Sequence, residues 1–236
     1  MRESCLRKNK LNIKIFKIRW LVIGCLIFLF ASCDNINASS IKSFTSDHVA
    51  EKIRFKEAVD SIKVLSPLIK NGDLITRTGN DFTSESLRSL NRRDKKYSHC
   101  GIAIIENESV YIYHALGGDF NPNQKLLRES LLTFADPSAN RGIGLFRFNS
   151  SALINDKLSQ IVHQHFKEGL PFDMDFDLST DNKMYCAEFV VKSYISASNN
   201  ILNFNKSKIE KFTFYGVDDV FLNPFCIPIK ELTYKQ

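Results

Sequence analysis

His99 heads one apolar run, Tyr97-Ser98-His99-Cys100-Gly101-Ile102-Ala103-Ile104-Ile105. Cys186 heads another, Met184-Tyr185-Cys186-Ala187-Glu188-Phe189-Val190-Val191. A thiol becomes a nucleophile when a base takes its proton, so the two residues are the minimum equipment for cysteine acyl-transfer chemistry. A cysteine at the start of a helix gains further, because the N-terminal N–H groups favour a thiolate and can hold a developing oxyanion. Ser98 and Tyr185, next to the base and the nucleophile, are the candidates for lining a substrate cleft. Acyl transfer by a thiol needs no cofactor.

These residues must be positioned by the elements that carry them. Gly101–Ile105 and Val110–Ala115 are two β-rich runs around the polar turn 106–109, which predicts a hairpin. With a two-residue turn at Asn107-Glu108, residue 101 lies opposite residue 114. His99 and His114 then share a face, about 7–8 Å apart by Cα on the diagonal. A turn at Glu106-Asn107 would put them directly opposite at about 5 Å. An odd loop would send them to opposite faces. Two of the three registers thus add His114 as a partner for the far ring nitrogen of His99. Cys100, next to His99 in a strand, must face the other side and reads as a core residue. Taken singly, each has an ordinary reading: Cys186 as a small buried hydrophobe, His99 as a surface or hydrogen-bonded residue, His114 as a polar side chain in a half-exposed strand.

Around the hairpin the pattern predicts a helix over 48–64 with Asp47 as N-cap, ended by Ser66-Pro67. It predicts a short strand at Leu74-Ile75 after the Asn71-Gly72 turn, and a short helix over 83–90. A third strand is expected at 144–148, and an amphipathic helix over 151–168 that stops at Gly169-Leu170-Pro171. A second long helix starts at Cys186, and 212–215 and 227–232 read as further strand. Glu188, two residues after Cys186, points away from it and is expected to stabilise the helix N-terminus. The acidic run from Asp173 to Asp181 lacks the Gly and Glu that a calcium loop needs at its sixth and twelfth positions, where Leu178 and Met184 stand. His163 and His165 are two apart on a helix and cannot share a face as ligands. No Cys/His spacing suits structural zinc, so no metal site is expected.

Residues 1–32 read as a lipoprotein signal peptide. Seven Lys/Arg and one Glu precede the apolar run Trp20–Ala31, which is too short to span a membrane. Ala31-Ser32-Cys33 resembles a bacterial lipobox, making Cys33 the expected site of lipidation. Without that segment's seven basic residues and one acidic residue, the chain's 32 and 26 fall to 25 of each. The net charge of +6 therefore belongs to the targeting segment, and a neutral mature protein has no footprint for nucleic acid. Residues 33–66 are expected to be a polar tether and an N-terminal helix, and residues 67–236 one domain. Beyond Cys33 the mature cysteines are Cys100, Cys186 and Cys226, so at least one thiol is left unpaired.

Five segments in order resemble the circularly permuted, NlpC-type branch of the papain-like superfamily, and within it the YiiX-like proteins. They are Asn71–Ile75, Tyr97–Ile102, Val110–Ala115, Pro171-Phe172-Asp173 with Asp175-Phe176-Asp177, and Tyr185–Glu188, together spanning about residues 68–197. The resemblance implies an α+β fold with a central antiparallel sheet packed with helices. It explains why the histidine precedes the cysteine, the reverse of the usual papain-like order, and implies Cys186, His99 and His114 as a catalytic triad. YiiX-like proteins generally resemble each other in having Glu where this chain has His114. The expected function is a thiol hydrolase in the bacterial cell envelope, periplasmic or outer-membrane, anchored through Cys33 and cleaving amide bonds in cell-wall peptides. The alternatives are a lipid acyl-ester hydrolase or acyltransferase using the same residues, and a non-catalytic envelope binding module.

Overall fold

The computed structural model describes residues 38–235; residues 1–32, expected to be a signal peptide, and the expected lipidation site Cys33 lie outside them. From Lys52 onward the chain forms one compact unit. Helix α1 runs Ala38–Leu65, so Asp47 lies inside it rather than capping it. No Gly or Pro in 38–47 interrupts propagation once the following turns have formed. Its last turns bury Ala58, Ile62 and Leu65, and Pro67 ends it in a single 3-10 turn.

Gly72, at φ 78°, turns the chain into β1, Asp73–Gly79. Helix α2, Phe82–Leu90, is capped by Asp81, which accepts from Ser84 N. Strands β2, His99–Glu106, and β3, Ser109–His114, form the expected hairpin. After it come β4, Leu127–Ser130, the one-turn α3, Leu131–Phe134, and β5, Asn140–Phe148. Helix α4, Ala152–Glu168, starts at the Ser151 cap and stops at left-handed Gly169. Helix α5 is Cys186–Ala197. The chain closes with β6, Ser207–Ile209, β7, Phe212–Phe214, the short α6, Val217–Phe221, and β8, Cys226–Thr233.

Six strands make one antiparallel sheet in the order β4-β3-β2-β1-β5-β8. Both faces are covered along Gly101–Ile104, which is why that stretch is an apolar run rather than an alternating one; Ile105, beyond it, is exposed. Leu74, Cys100, Ile102, Ile104 and Tyr113 pack with α4 and α5 on one face. Ile75, Ala103, Ile112, Ile143 and Leu145 pack with Phe134 and the end of α1 on the other. Helix α5 is buried almost all round, so Val190 and Val191 sit in a helix despite their strand preference. Phe189, Val190 and Val191 are fully buried, each contributing about 1.5–3 kcal/mol. The acidic run is organised by its own backbone: Asp173 accepts from Asp175 N at 3.0 Å and Asp177 N at 2.6 Å and pairs with Lys183.

Candidate active site

Cys186 is the first residue of α5, and the preceding Tyr185 is extended. Tyr185 N donates to Glu188 Oε2 at 3.3 Å, and Lys192 Nζ lies 2.8 Å from the other carboxyl oxygen. Glu188 therefore closes the helix N-terminus, as its offset from Cys186 predicts. Burial pushes its carboxyl up to about 7 against the pull of Lys192. Between the ordinary carboxylate value and that figure the folded state holds the extra proton, so this group makes the domain less stable as pH rises through about 7. Glu188→Gln keeps an acceptor for Tyr185 N and leaves Lys192 its Asp181 partner at 2.6 Å. Melting curves of Glu188→Gln from pH 5 to 8 are expected to lack this loss; an unchanged pH slope would refute the assignment.

The Cys186 thiol is lowered from its usual value. The largest cause is a hydrogen bond from the Cys100 thiol; burial opposes it, and the Ala187 N–H and the Arg77 charge assist. Burial and the same contact hold Cys100 well above the usual thiol range. Cys100, Cys186 and Cys226 are all free. Cys100 is fully buried, as the alternation of strand faces predicts, and that placement brings it against Cys186.

The hairpin takes the register centred on Asn107-Glu108. Both residues have positive φ, 48° and 64°, the mark of a two-residue turn whose twist matches the strands. Glu106 pairs with Ser109 and Ile102 with Tyr113, so Gly101 falls opposite His114. His99 and His114 thereby share a face, with His99 Nε2 2.9 Å from His114 Nδ1. A Cβ at position 101 would meet Tyr113 O at 2.7 Å and His114 Cβ at 2.9 Å, so only glycine lets His114 sit there. Gly101→Ala is expected to destabilise the domain by about 1–3 kcal/mol in chemical denaturation. A neutral result would show that the two strands can part freely.

The other nitrogen of His114, Nε2, lies 3.0 Å from Glu129 Oε2. Glu129 is on β4, diagonal to His114, whose direct partner is Leu127. A carboxylate only accepts, so His114 Nε2 donates to it, and His114 Nδ1 is left to accept from His99 Nε2–H. The chain Glu129–His114–His99 then ends at His99 Nδ1 with a free lone pair. Burial holds His99 well below the usual imidazole value, with Arg77 and His114 adding to the shift. Burial also lowers His114, and the hydrogen bond from His114 lowers Glu129.

Arg77, directly across from His99 on β1, donates to Phe134 O at 2.8 Å and lies over the Phe134 ring. His99 and Arg77 line a cleft of about 390 Å³, while Cys186 and Tyr185 line a smaller hollow beside it. Ser98 and Leu87 border both. Among the described residues no hydrogen bond joins Cys186 to His99. The residues expected from sequence thus fall into two groups, His99 with His114 and Cys186 with Tyr185, and Ser98 lies between them. The Ser98 hydroxyl accepts from Gly79 N at 3.0 Å, and that of Tyr185 accepts from Tyr215 N at 2.7 Å, so both are held by backbone. Sequence reasoning missed Glu129 and Arg77. Neither has a local signal: Leu-Arg-Glu-Ser reads as an ordinary half-exposed edge, and Arg77 follows a strand recognised only by Leu74-Ile75.

A sequence model described as "Permuted papain-like amidase enzyme, YaeF/YiiX, C92 family" matches residues 68–228. The uncharacterized protein YiiX of Escherichia coli (strain K12) is 26% identical over 132 residues, 54% of this chain and 58% of YiiX. The match thus takes in little more than half of that relative. A crystal structure described as metalloprotein yiiX from Escherichia coli O157:H7 superposes with a TM-score of 0.58 at 19% identity, over 70% of this chain and 98% of that one. At that identity the likeness speaks for the fold. In this chain the strands that carry His99 and His114 precede the helix that carries Cys186, which is the permuted order. The chain belongs to the permuted papain-like amidase enzymes of the YaeF/YiiX, C92 family, a class of cysteine hydrolases.

Proposed function

We propose that this domain cleaves amide bonds in cell-wall peptides at the bacterial envelope, with Cys186 as nucleophile, His99 as base and His114 as the residue that orients His99. The observation that carries the reading is the hydrogen-bonded chain Glu129–His114–His99, which leaves one lone pair free beside the cleft. His99 Nδ1 takes the thiol proton as Cys186 Sγ attacks the carbonyl carbon. The oxyanion forms at the N-terminus of α5, where the Cys186 N–H is not consumed by the helix. The same proton passes to the leaving amine, the C–N bond breaks, and water then hydrolyses the thioester by the reverse route. Glu129 supplies a carboxylate on the far side of His114, where it favours the imidazolium that forms when His99 and His114 share the proton.

The structural relative is described as a metalloprotein. The residues here do not suit a bound ion: His114 uses both ring nitrogens, on His99 and Glu129. Among the described residues no three His, Cys, Asp or Glu side chains gather as a ligand set. No step is therefore routed through a metal. Anchoring rests on the basic-then-apolar leader and Ala31-Ser32-Cys33. Labelled palmitate is expected to enter the wild-type protein and not Cys33→Ser; label in both would remove the anchor.

The reaction is tested by incubating the protein with muropeptides and, separately, with phospholipid vesicles, then weighing the adduct on Cys186. A peptidyl adduct supports the amide reading. A fatty-acyl adduct would replace it with a lipid acyl-ester hydrolase or acyltransferase, and no adduct on Cys186 from either would overturn the mechanism.

A further inference from the structure

Arg77 is a half-buried cation that forms no ion pair with any of the described residues. Two other half-buried arginines are matched: Arg147 grips Asp73 through two bonds of 2.7 Å, and Arg128 pairs with Glu106. Arg77 instead has one hydrogen bond, to the Phe134 carbonyl, and a ring beneath it. The two carboxylates whose charge reaches Arg77, Glu129 and Asp81, make their hydrogen bonds elsewhere. Glu129 accepts from His114, and Asp81 accepts from the Ser84 N–H at 2.9 Å and its hydroxyl at 2.7 Å as the cap of α2.

Taking a guanidinium out of water without a direct ion pair is costly, so an anion that reaches its free N–H groups is favoured. Arg77 lines the cleft of about 390 Å³ that also holds His99. A guanidinium fork matches a carboxylate through two parallel hydrogen bonds, and a carboxylate is the anion that a peptide or amino-acid leaving group carries. The cleft also fixes which part of a substrate meets it. In the proposed reaction His99 returns its proton to the leaving amine, so the leaving group must lie on the His99 side, whereas the acyl carbonyl lies at Cys186.

Resting on that proposed reaction, we infer that Arg77 and the cleft it shares with His99 form a subsite for a carboxylate on the leaving-group side of the scissile amide. The released amine is then an amino acid, or a short peptide, whose free carboxylate sits close to the nitrogen being freed. The enzyme would trim a chain end rather than cut within a long strand.

The test uses the full chain and pairs of acylated dipeptides that differ only in a free or an amidated C-terminus. The wild-type protein is expected to prefer the free acid in kcat/KM by about 10- to 100-fold, mostly through KM. In Arg77→Gln that preference should collapse towards one, and Arg77→Lys, which keeps the charge without the fork, should fall between. A wild-type enzyme indifferent to amidation would overturn the subsite. So would equal losses on both substrates in Arg77→Gln, because that assigns the charge to the field around Cys186. Direct binding of the same peptides to Cys186→Ala by calorimetry separates this inference from the reaction. Selective binding of the free acid that Arg77→Lys weakens supports the subsite even if no acyl-enzyme is found. Equal binding of acid and amide refutes it whatever the chemistry proves to be.

Discussion

Replacing Cys186 by alanine is expected to lower turnover by about 10⁴-fold or more, with little change in the melting temperature. The thiol is only partly buried at a helix end, so losing the sulfur opens no large core cavity. Loss of activity with retained folding is the signature of a nucleophile. Labelling with iodoacetamide at neutral pH should show the same asymmetry without a substrate. Cys186 is expected to react at least about 100-fold faster than Cys100 or Cys226, because the thiolate is the reacting species and burial suppresses it at the other two. Burial pushes the Cys226 thiol up to about 12. Cys100→Ala removes the largest stabiliser of the Cys186 thiolate, so labelling should slow near neutrality and recover at higher pH. Equal, slow labelling of all three cysteines, or full activity in Cys186→Ala, would sink the assignment.

What could be read in the sequence, and what could not, divides along local and non-local information. The hairpin, α2, α4 and the start of α5 announce themselves through periodicity and caps: Asp81 and Ser151 occupy N-cap positions, and Gly169 stops α4 in the left-handed conformation. The register of the hairpin is different, because Asn107 at positive φ is an ordinary turn residue whereas Glu108 is not. The sequence therefore leaves three registers open, and the pairing of β2 with β3 selects one. Glu129 was beyond reach for a related reason. Its contact with His114 crosses from β3 to β4 through a loop of a dozen residues without periodic pattern, and β4 is an edge whose half-exposed side chains carry no burial signal. Arg77 meets His99 only by strand pairing. The alternation that assigns Cys100 to the core was legible; its contact with Cys186 depends on how α5 crosses the sheet. Short elements supported by tertiary packing, such as α3 and α6, have too few residues to show a period at all.

Removing His99 is expected to cost nearly as much as removing Cys186, about 10³- to 10⁴-fold for His99→Ala, because in the proposed mechanism deprotonation of the thiol and protonation of the leaving amine both pass through it. The partners behind it should follow in order of distance from the reacting atoms. His114→Ala leaves the far ring nitrogen of His99 without its acceptor and should cost about 10²-fold. Glu129→Gln should cost less, since an amide can still accept from His114 but no longer dictates which nitrogen donates. The same three residues set an acid-side stability profile. Both histidines are held below the usual imidazole value, so the unfolded chain takes up protons first as pH falls below about 6.5, and stability falls with it. Glu129, held below its ordinary value, contributes stability above about 4.3 that is lost as pH falls through its folded value. His114→Gln should therefore flatten the melting profile between pH 5 and 7, where Glu188 acts with the opposite sign. The graded series His99, His114, Glu129 in kcat, together with the flattened profile, distinguishes a working relay from a buried polar cluster that merely packs. A Glu129→Gln enzyme as impaired as His99→Ala, or a His114 variant with unaltered kcat, would refute that order.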